Sequence, residues 1–325
     1  MKALSEDLAA VCRRMREETA VAVAVHEKPD ADALGAAAGM LDLFSQLGIA
    51  AKLHVSASEY LPLGDLLLNG VPIVHDPIPP DVTLYALDSG NDSRLALPDA
   101  SRGAFVVNID HHQDNTGHGD LTYVRGAASS TSEMVCDIAA GLDLRPSPAA
   151  ATALYAGISF DTGHFRHDCT SASTFEKAAW LTRLGVDVTA VYAEMYERRT
   201  PMALRLWARA VDSAVAVAGG RGMVATLRRA DYAAVGANEN ETEGIVESLR
   251  GVDGVEVAAL VKEQQGTPRV RASLRSSTID VSAVAALKGG GGHRLAAGFS
   301  NDDDPEEVTA WLSSELERCL STASS

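Results

Sequence analysis

Short apolar runs alternate with longer stretches of helical spacing through the N-terminal half of the chain, and most of the runs end on an acid or a histidine. From Leu4 to Thr19 apolar side chains recur at helical spacing among charges, which predicts an amphipathic helix. Val21 to Val25 predicts a short buried strand that runs straight into His26-Glu-Lys-Pro-Asp30-Ala-Asp32. Pro29 keeps its predecessor out of the helical region, so His26 to Asp32 is expected to be a loop, with a helix beginning near Asp32. A second strand is predicted over Ala50 to Val55, a short helix over Leu61 to Leu68, and a third strand over Val82 to Leu87 that ends on Asp88. Phe105 to Ile109 has strand character and empties into Asp110, His111 and His112. This alternation predicts an α/β fold with a mostly parallel, doubly wound sheet.

Beyond that sheet, Ala128 to Val135 reads as a Ser/Thr cap with Glu133 in the first turn of a helix. Pro148 to Ser159 predicts another helix, with Asp161 just beyond it and Gly163 marking a turn. Helices are expected over Ser173 to Leu184, Asp187 to Glu197 and Pro201 to Ser213. The pattern then changes: alternating apolar segments over Met223 to Leu227, Val255 to Val261 and Val270 to Leu274 predict strands, and Val281 to Leu287 a helix. With 325 residues and a prior of ~150 per domain, two domains are expected. The larger spans 1–197, a linker helix 198–216, and a smaller α/β domain 217–325, with the active site in the cleft between the two.

Composition narrows the classes. No apolar run approaches the ~20 residues that span a bilayer, and the N-terminus lacks a basic stretch followed by an apolar segment. A cytoplasmic protein with no membrane partner is expected. The four cysteines are scattered without a Cys-x-x-Cys pair and read as reduced. A formal net charge of -16 argues against gripping long duplex nucleic acid, because that affinity rests on many Lys and Arg neutralising phosphates. Locally the balance reverses: from Arg269 to Gly298 five Lys or Arg face one Asp. Strand period aims Arg269, Arg271, Ser273 and Arg275 at one face. The following Gly289-Gly-Gly-Gly-His293 could let backbone N–H groups approach an anion, although glycine runs also make plain turns.

Collected, the segment ends bring His26, Asp30, Asp32, Asp88, His112 and Asp161 into view. Taken singly, Asp30, Asp32 and Asp161 also fit as turn or cap residues. Carboxylates with some imidazole suit Mn²⁺ or Mg²⁺, whereas structural zinc favours thiolates. Two ions ~3.5–4 Å apart would neutralise the acids and stabilise both the attacking and leaving oxygens of an in-line displacement at phosphorus.

His26-x-x-x-Asp30-x-Asp32, Asp88, Asn108-Ile-Asp110-His111-His112, Asp161-Thr-Gly-x-Phe165 and Gly290-Gly-Gly-His293-x-x-Ala-Ala-Gly298 resemble the motifs of the Asp-His-His (DHH) phosphoesterases. The likeness is to the bacterial nanoRNase and pAp-phosphatase branch, which carries a C-terminal substrate-binding domain. It implies that His26, Asp30 and Asp88 hold one Mn²⁺ and that Asp32, Asp88, His112 and Asp161 hold the other, with Mg²⁺ or Co²⁺ as substitutes. It further implies that Asp110 orients the site and that His111 faces the substrate as general acid or charge stabiliser. Arg271, Arg275, Gly291, Gly292 and His293 are implied to bind the substrate's phosphate and nucleotide. Position beside Asp161 adds His164 and Arg166 as substrate contacts. The implied activity is hydrolysis of short oligoribonucleotides to 5'-mononucleotides, of pAp to AMP, or of cyclic di-AMP or its linear product. The implied assembly is a homodimer. Two other readings compete: an inorganic pyrophosphatase and a nucleotide-binding regulator without catalysis.

Overall fold

The computed structural model describes residues 4–95, 97, 103–197 and 199–322. The chain divides into two compact units, Met1–Arg198 and Arg199–Ser325. The first unit contains α1 (Glu6–Glu17), β1 (Ala20–Ala24), α2 (Ala31–Gln46), β2 (Ala50–His54), α3 (Gly64–Leu67), β3 (Ile73–Val74), β4 (Thr83–Leu87), β5 (Phe105–Asp110) and β6 (Leu121–Val124). Helices α4 (Thr131–Leu142), α5 (Pro148–Asp161), α6 (Ala172–Arg183) and α7 (Val188–Tyr192) follow.

Its sheet runs in the order β3-β2-β1-β4-β5-β6, and every pairing is parallel. Parallel strands are covered on both faces and therefore need continuous apolar runs. β4 is buried at all five positions and β1 at four of five. Val21, Val23 and Val25 join a core built with α1, α2, α4 and α5. Ala22, Ala24, Leu84, Ala86 and Val106 face the other way, against Ile78 and Leu95. Because β2 and β3 extend the sheet to one side of β1 and β4, β5 and β6 to the other, the direction of winding switches between β1 and β4.

Helix α2 is buried at 13 of its positions, so its neighbours must approach closely on several sides. Glycine permits this at two of the contacts. A Cβ on Gly35 would stand 2.4 Å from the Ala153 carbonyl oxygen, and one on Gly157 of α5 would stand 2.9 Å from Asp32 Oδ1. Caps set the helix starts: Asp30 accepts from the Asp32 and Ala33 amides at α2, Ser130 from Glu133 at α4, and Ser147, followed by Pro148, from Ala150 at α5.

Several boundaries differ from expectation. The helix begins at Ala31 with Asp30 as its cap, and α5 continues through Phe160 to end on Asp161. The helix expected over Leu61 to Leu68 shrinks to the four residues of α3, because Leu63 adopts a left-handed conformation (φ 54°). The stretch Asp187 to Glu197 begins as α7 and widens into a π-helical turn over Ala193–Glu197. The short edge strands β3 and β6 carry too few apolar residues to stand out in the pattern.

The second unit contains α8 (Pro201–Ser213), β7 (Val215–Val217), β8 (Gly222–Leu227), α9 (Arg229–Val235), α10 (Ile245–Arg250), β9 (Val257–Glu263), β10 (Val270–Ser276), α11 (Val281–Ala286), β11 (Gly291–His293), β12 (Ala296–Asn301) and α12 (Pro305–Thr322). Its sheet runs β11-β12-β10-β9-β8-β7, parallel between β8 and β9 and antiparallel elsewhere. The helix expected as a linker, α8, packs Leu206 and Ala210 into this unit's core with Ala225, Leu227, Ile245 and Leu260. The opposite face of the sheet is covered by α11 and α12 through Val281, Val284, Val308, Leu312 and Leu316. Among the described residues no helix is long and apolar enough to cross a membrane.

Candidate metal centre and active site

In open α/β sheets, ligands bind beyond the carboxyl ends of the strands where the winding direction switches. Here that point lies between β1 and β4. His26 follows β1, Asp88 follows β4, and Asp110 closes β5 with His111 and His112 behind it. The first residues of α2 add Asp32, its cap adds Asp30, and the last residue of α5 adds Asp161.

These side chains converge. Their ligand atoms form three groups, each within 4.8 Å: His26 with Asp30 and Asp88; Asp88 with His111 and His112; Asp32 with His111 and Asp161. His26 Nε2 is 3.5 Å from Asp88 Oδ2 and 3.9 Å from Asp30 Oδ2. His111 Nε2 is 3.1 Å from Asp161 Oδ2 and 3.6 Å from Asp88 Oδ1. Asp88 thus links His26, His111 and His112, and it does so from a left-handed backbone (φ 55°) with only 2% of its surface exposed. Such a conformation costs an Asp of order 1–3 kcal/mol and persists only where its surroundings hold it.

The two adjacent histidines share Asp88 Oδ1, each at 3.6 Å, and otherwise serve different partners. His112 Nδ1 lies 2.7 Å from Asp110 Oδ1, and Asn115 Nδ2 donates to the other Asp110 oxygen at 2.5 Å. From sequence, His112 is expected as the ligand beside Asp32 and Asp161, with His111 toward the substrate. The geometry favours the opposite division, because it is His111 that meets both of those acids.

Electrostatics follow from crowding. Burial raises the Asp30 carboxyl, and the charges of Asp88 and Asp161 raise it further, to about 6. Asp32 is pushed well above the carboxylate range by burial and then by Asp161 and Asp88. For His26 burial acts downward, but the hydrogen bond and charge of Asp88, with Asp30, bring the imidazole up to about 9. His111 rises against burial to about 10 through Asp161, Asp88 and Asp32. Burial would raise Asp88, yet the bond from His26 and the charges of His111 and His112 hold it below its usual value. Asp110 is likewise lowered against burial by its bond to His112, which is itself raised by Asp110. The site holds protons between its acids where divalent cations would relieve the same repulsion. Its donors are carboxylate oxygens and imidazole nitrogens without a thiolate, which fits Mn²⁺ or Mg²⁺.

Residues with no assigned role in the sequence pattern support this set. Thr131 N and Ser132 N donate to the two oxygens of Asp32 at 2.7 and 2.9 Å, and Thr131 Oγ1 donates to Asp88 Oδ1 at 2.9 Å. Glu133, 1% exposed, accepts from Ser129 N and Oγ, Ser173 Oγ and Thr174 Oγ1. The Ser-Ser-Thr-Ser-Glu run signals a helix start, but nothing in its spacing says that the helix start binds acids.

The remaining expected residues are placed as follows. His164 is left-handed (φ 62°), lies 3.4 Å from Ser159 Oγ and packs at 4.7 Å on the Tyr192 ring; Arg166 is exposed and donates to Gly163 O. Neither belongs to the three ligand groups. In the second unit β10 alternates as expected, burying Val270, Ala272 and Leu274 while Arg271 is exposed and Arg275 half-buried. Arg275 Nε pairs with Glu247 at 2.9 Å, and Arg269 pairs with Glu263 and Asp304. Gly291, Gly292 and His293 form β11, hairpinned onto β12. Gly292 has φ 137°, and a Cβ there would stand 2.6 Å from Ala296 O.

Residues 20–158 match the family model described as the DHH family, N-terminal domain, and residues 219–322 match the DHHA1 domain. The chain is 32% identical over 277 residues to the probable bifunctional oligoribonuclease and PAP phosphatase NrnA of Streptococcus mutans, spanning 85% of this chain and 87% of that one. It is 31% identical over 305 residues to the bifunctional oligoribonuclease and PAP phosphatase NrnA of Thermus thermophilus, spanning 92% and 87%. Among solved structures, an exopolyphosphatase-related protein of Bacteroides fragilis superposes with a TM-score of 0.89 over 100% of both chains at 20% identity, a likeness of fold.

Proposed function

Since the chain belongs to the DHH family, in the branch of the oligoribonuclease and PAP phosphatase NrnA, we propose that it is a Mn²⁺-dependent phosphoesterase. Its substrates are short oligoribonucleotides, pAp, or cyclic di-AMP and its linear product. The observation that carries this reading is the sharing of Asp88 and His111 among three groups of ligand atoms at the switch point of the sheet. Two separate one-ion sites would not need shared ligands.

His26, Asp30 and Asp88 would hold one cation, and Asp32, Asp88, His111 and Asp161 the second. Bound there, the pair supplies charge neutralisation and Lewis acidity for displacement at phosphorus. His112 is then the group that faces the substrate. Asp110 fixes its ring through Nδ1 and stabilises its charged form, so His112 can donate a proton to the leaving oxygen from its other nitrogen. Asn115 holds Asp110 in that orientation through the carboxylate's second oxygen. Arg271, Arg275, Gly291, Gly292 and His293 are assigned to the substrate's phosphate and nucleotide, and His164 and Arg166 to its outer contacts. The family resemblance carries the further reading of a homodimer acting in the cytoplasm.

The test is a side-by-side assay in Mn²⁺ of pAp, a diribonucleotide, cyclic di-AMP and pyrophosphate, with Asp88→Asn as the control. Nucleotide hydrolysis that Asp88→Asn abolishes is expected. Pyrophosphate turnover outpacing every nucleotide would overturn the reading, as would tight nucleotide binding with no product.

A further inference from the structure

The start of α4 holds two of the acids at once, although they arrive from different elements. First-turn amides of a helix have no partner within the helix. Here those of Thr131 and Ser132 take the two oxygens of Asp32, at 2.7 and 2.9 Å. The Thr131 hydroxyl is not needed for capping, since Ser130 Oγ already accepts from the Glu133 amide at 3.0 Å. It is fully buried, donates to Asp88 Oδ1 at 2.9 Å, and so reaches the acid shared between the ligand groups. A buried hydroxyl without a partner costs free energy; this one finds its partner in a carboxylate whose backbone is itself left-handed (φ 55°).

We propose that Thr131 is a positioning residue for the metal centre: its hydroxyl fixes the orientation of the Asp88 carboxylate, while its amide and that of Ser132 fix Asp32. This goes beyond the ligand assignment and rests on the functional reading above. Glu133 is the anchor of the device, for its carboxylate ties the turn before α4 through Ser129 and the start of α6 through Ser173 and Thr174. Two degrees of freedom are removed in this way: rotation of Asp88 about its side-chain bonds, and drift of α4 relative to α2. The hydroxyl acts only on the first.

The test uses the full chain with Thr131→Val, which keeps the shape and the amide but deletes the hydroxyl, and Thr131→Ser, which restores it. Calorimetry gives the Mn²⁺ dissociation constant, thermal melting of the metal-free protein gives its stability, and the Mn²⁺ concentration for half-maximal hydrolysis gives the functional counterpart. Loss of a group that orients a metal ligand typically weakens binding about 10–100-fold. Thr131→Val is expected to weaken Mn²⁺ binding in that range with the metal-free melting temperature near wild type, and Thr131→Ser to recover most of it. If Thr131→Val does not fold, Thr131→Ala removes the same hydroxyl and is read the same way. An unchanged Mn²⁺ dissociation constant would overturn the proposal, whether or not the melting temperature falls. A serine variant as weak as the valine variant would do so too. A wild-type protein that binds Mn²⁺ but hydrolyses no nucleotide defeats the functional reading alone, and the calorimetric comparison still decides the role of Thr131. One that binds no Mn²⁺ defeats both.

Discussion

His111 Nε2 stands 3.1 Å from Asp161 Oδ2, while its neighbour His112 directs Nδ1 to Asp110 Oδ1 at 2.7 Å. Adjacent imidazoles at one strand end therefore make different contacts, and the proposed function gives them separable duties. His111→Ala is expected to weaken Mn²⁺ binding by about 100-fold or more, beyond the loss typical when only a group supporting a ligand is removed. His112→Ala is expected to lower kcat by roughly 10²–10⁴-fold, the range for losing a positioned acid, with a much smaller change in Mn²⁺ affinity. Calorimetry and steady-state kinetics on both variants separate the two. Equal losses of affinity would refute the division.

Glu133 makes a stability prediction that does not involve the metal. Burial would raise its carboxyl, but hydrogen bonds from Ser129, Ser173 and Thr174 hold it below the ordinary glutamate value of 4.5. Replacing it with Ala removes the acceptor of the Ser129 amide and hydroxyl and of the half-buried Ser173 hydroxyl, and leaves the Thr174 hydroxyl only Ser171 Oγ; a bond to a charged group contributes about 1.5–3 kcal/mol. A net loss of ~3 kcal/mol in urea unfolding at pH 7 is expected for Glu133→Ala. Because the folded value is depressed, the carboxylate's contribution is complete above pH 4.5 and declines as pH falls through the lower folded value. The gap between wild type and variant should narrow in acid. A gap that holds constant down to pH 3 would count against the charged form as the source.

Much of the candidate site is legible in the sequence because its residues end segments whose period is visible: Val21 to Val25 before His26, Val82 to Leu87 before Asp88, Phe105 to Ile109 before Asp110 and His111. Strand direction then carries them to one sheet edge. Their partnerships are not legible, because which nitrogen meets which acid depends on ring rotation. Two residues as close in sequence as His111 and His112 point to different neighbours for that reason. The Thr131 and Ser132 contacts to Asp32 bridge elements far apart in the chain, so no local pattern could announce them. α8 reads as a connector because the pattern changes from helical to alternating after it, whereas its Leu206 and Ala210 pack with Ala225, Leu227 and Leu260 of the strands that follow.

Gly157 offers a case where two effects oppose. In a helix interior Ala is favoured over Gly by about 1 kcal/mol, so Gly157→Ala would stabilise an exposed helix. Here the added Cβ would stand 2.2 Å from Ser132 Oγ, 3.0 Å from Ser132 Cβ and 2.9 Å from Asp32 Oδ1. Ser132 cannot simply rotate away, since its hydroxyl donates to the Asp32 carbonyl and its amide to the Asp32 carboxylate. Overlap should win. Overpacking typically costs about 1–3 kcal/mol, and the displacement of Asp32 should weaken Mn²⁺ binding as well. A variant that melts higher than wild type with unchanged Mn²⁺ affinity would show that α4 and α5 can separate freely.

Metal binding should expel protons. His26 and His111 rise to about 9 and about 10: burial acts downward on both, and the acids beside them, Asp88 for the first and Asp161 for the second, act upward more strongly. Near pH 7.5 both imidazoles are therefore protonated in the metal-free protein. A metal takes them only as neutral rings. Binding at that pH should release at least about two protons, one from each ring, with Asp32, raised well above the carboxylate range by burial, adding to the count. The sign follows directly: raising the pH removes the competing protons, so Mn²⁺ affinity strengthens as pH climbs toward 9 and levels off above about 10. Below about pH 6 Asp30 also begins to hold a proton, and the dependence steepens. Titration calorimetry at pH 7.5 in buffers of different ionisation enthalpy counts the protons directly. Mn²⁺ binding without proton release would mean that these two histidines are not the groups that receive it.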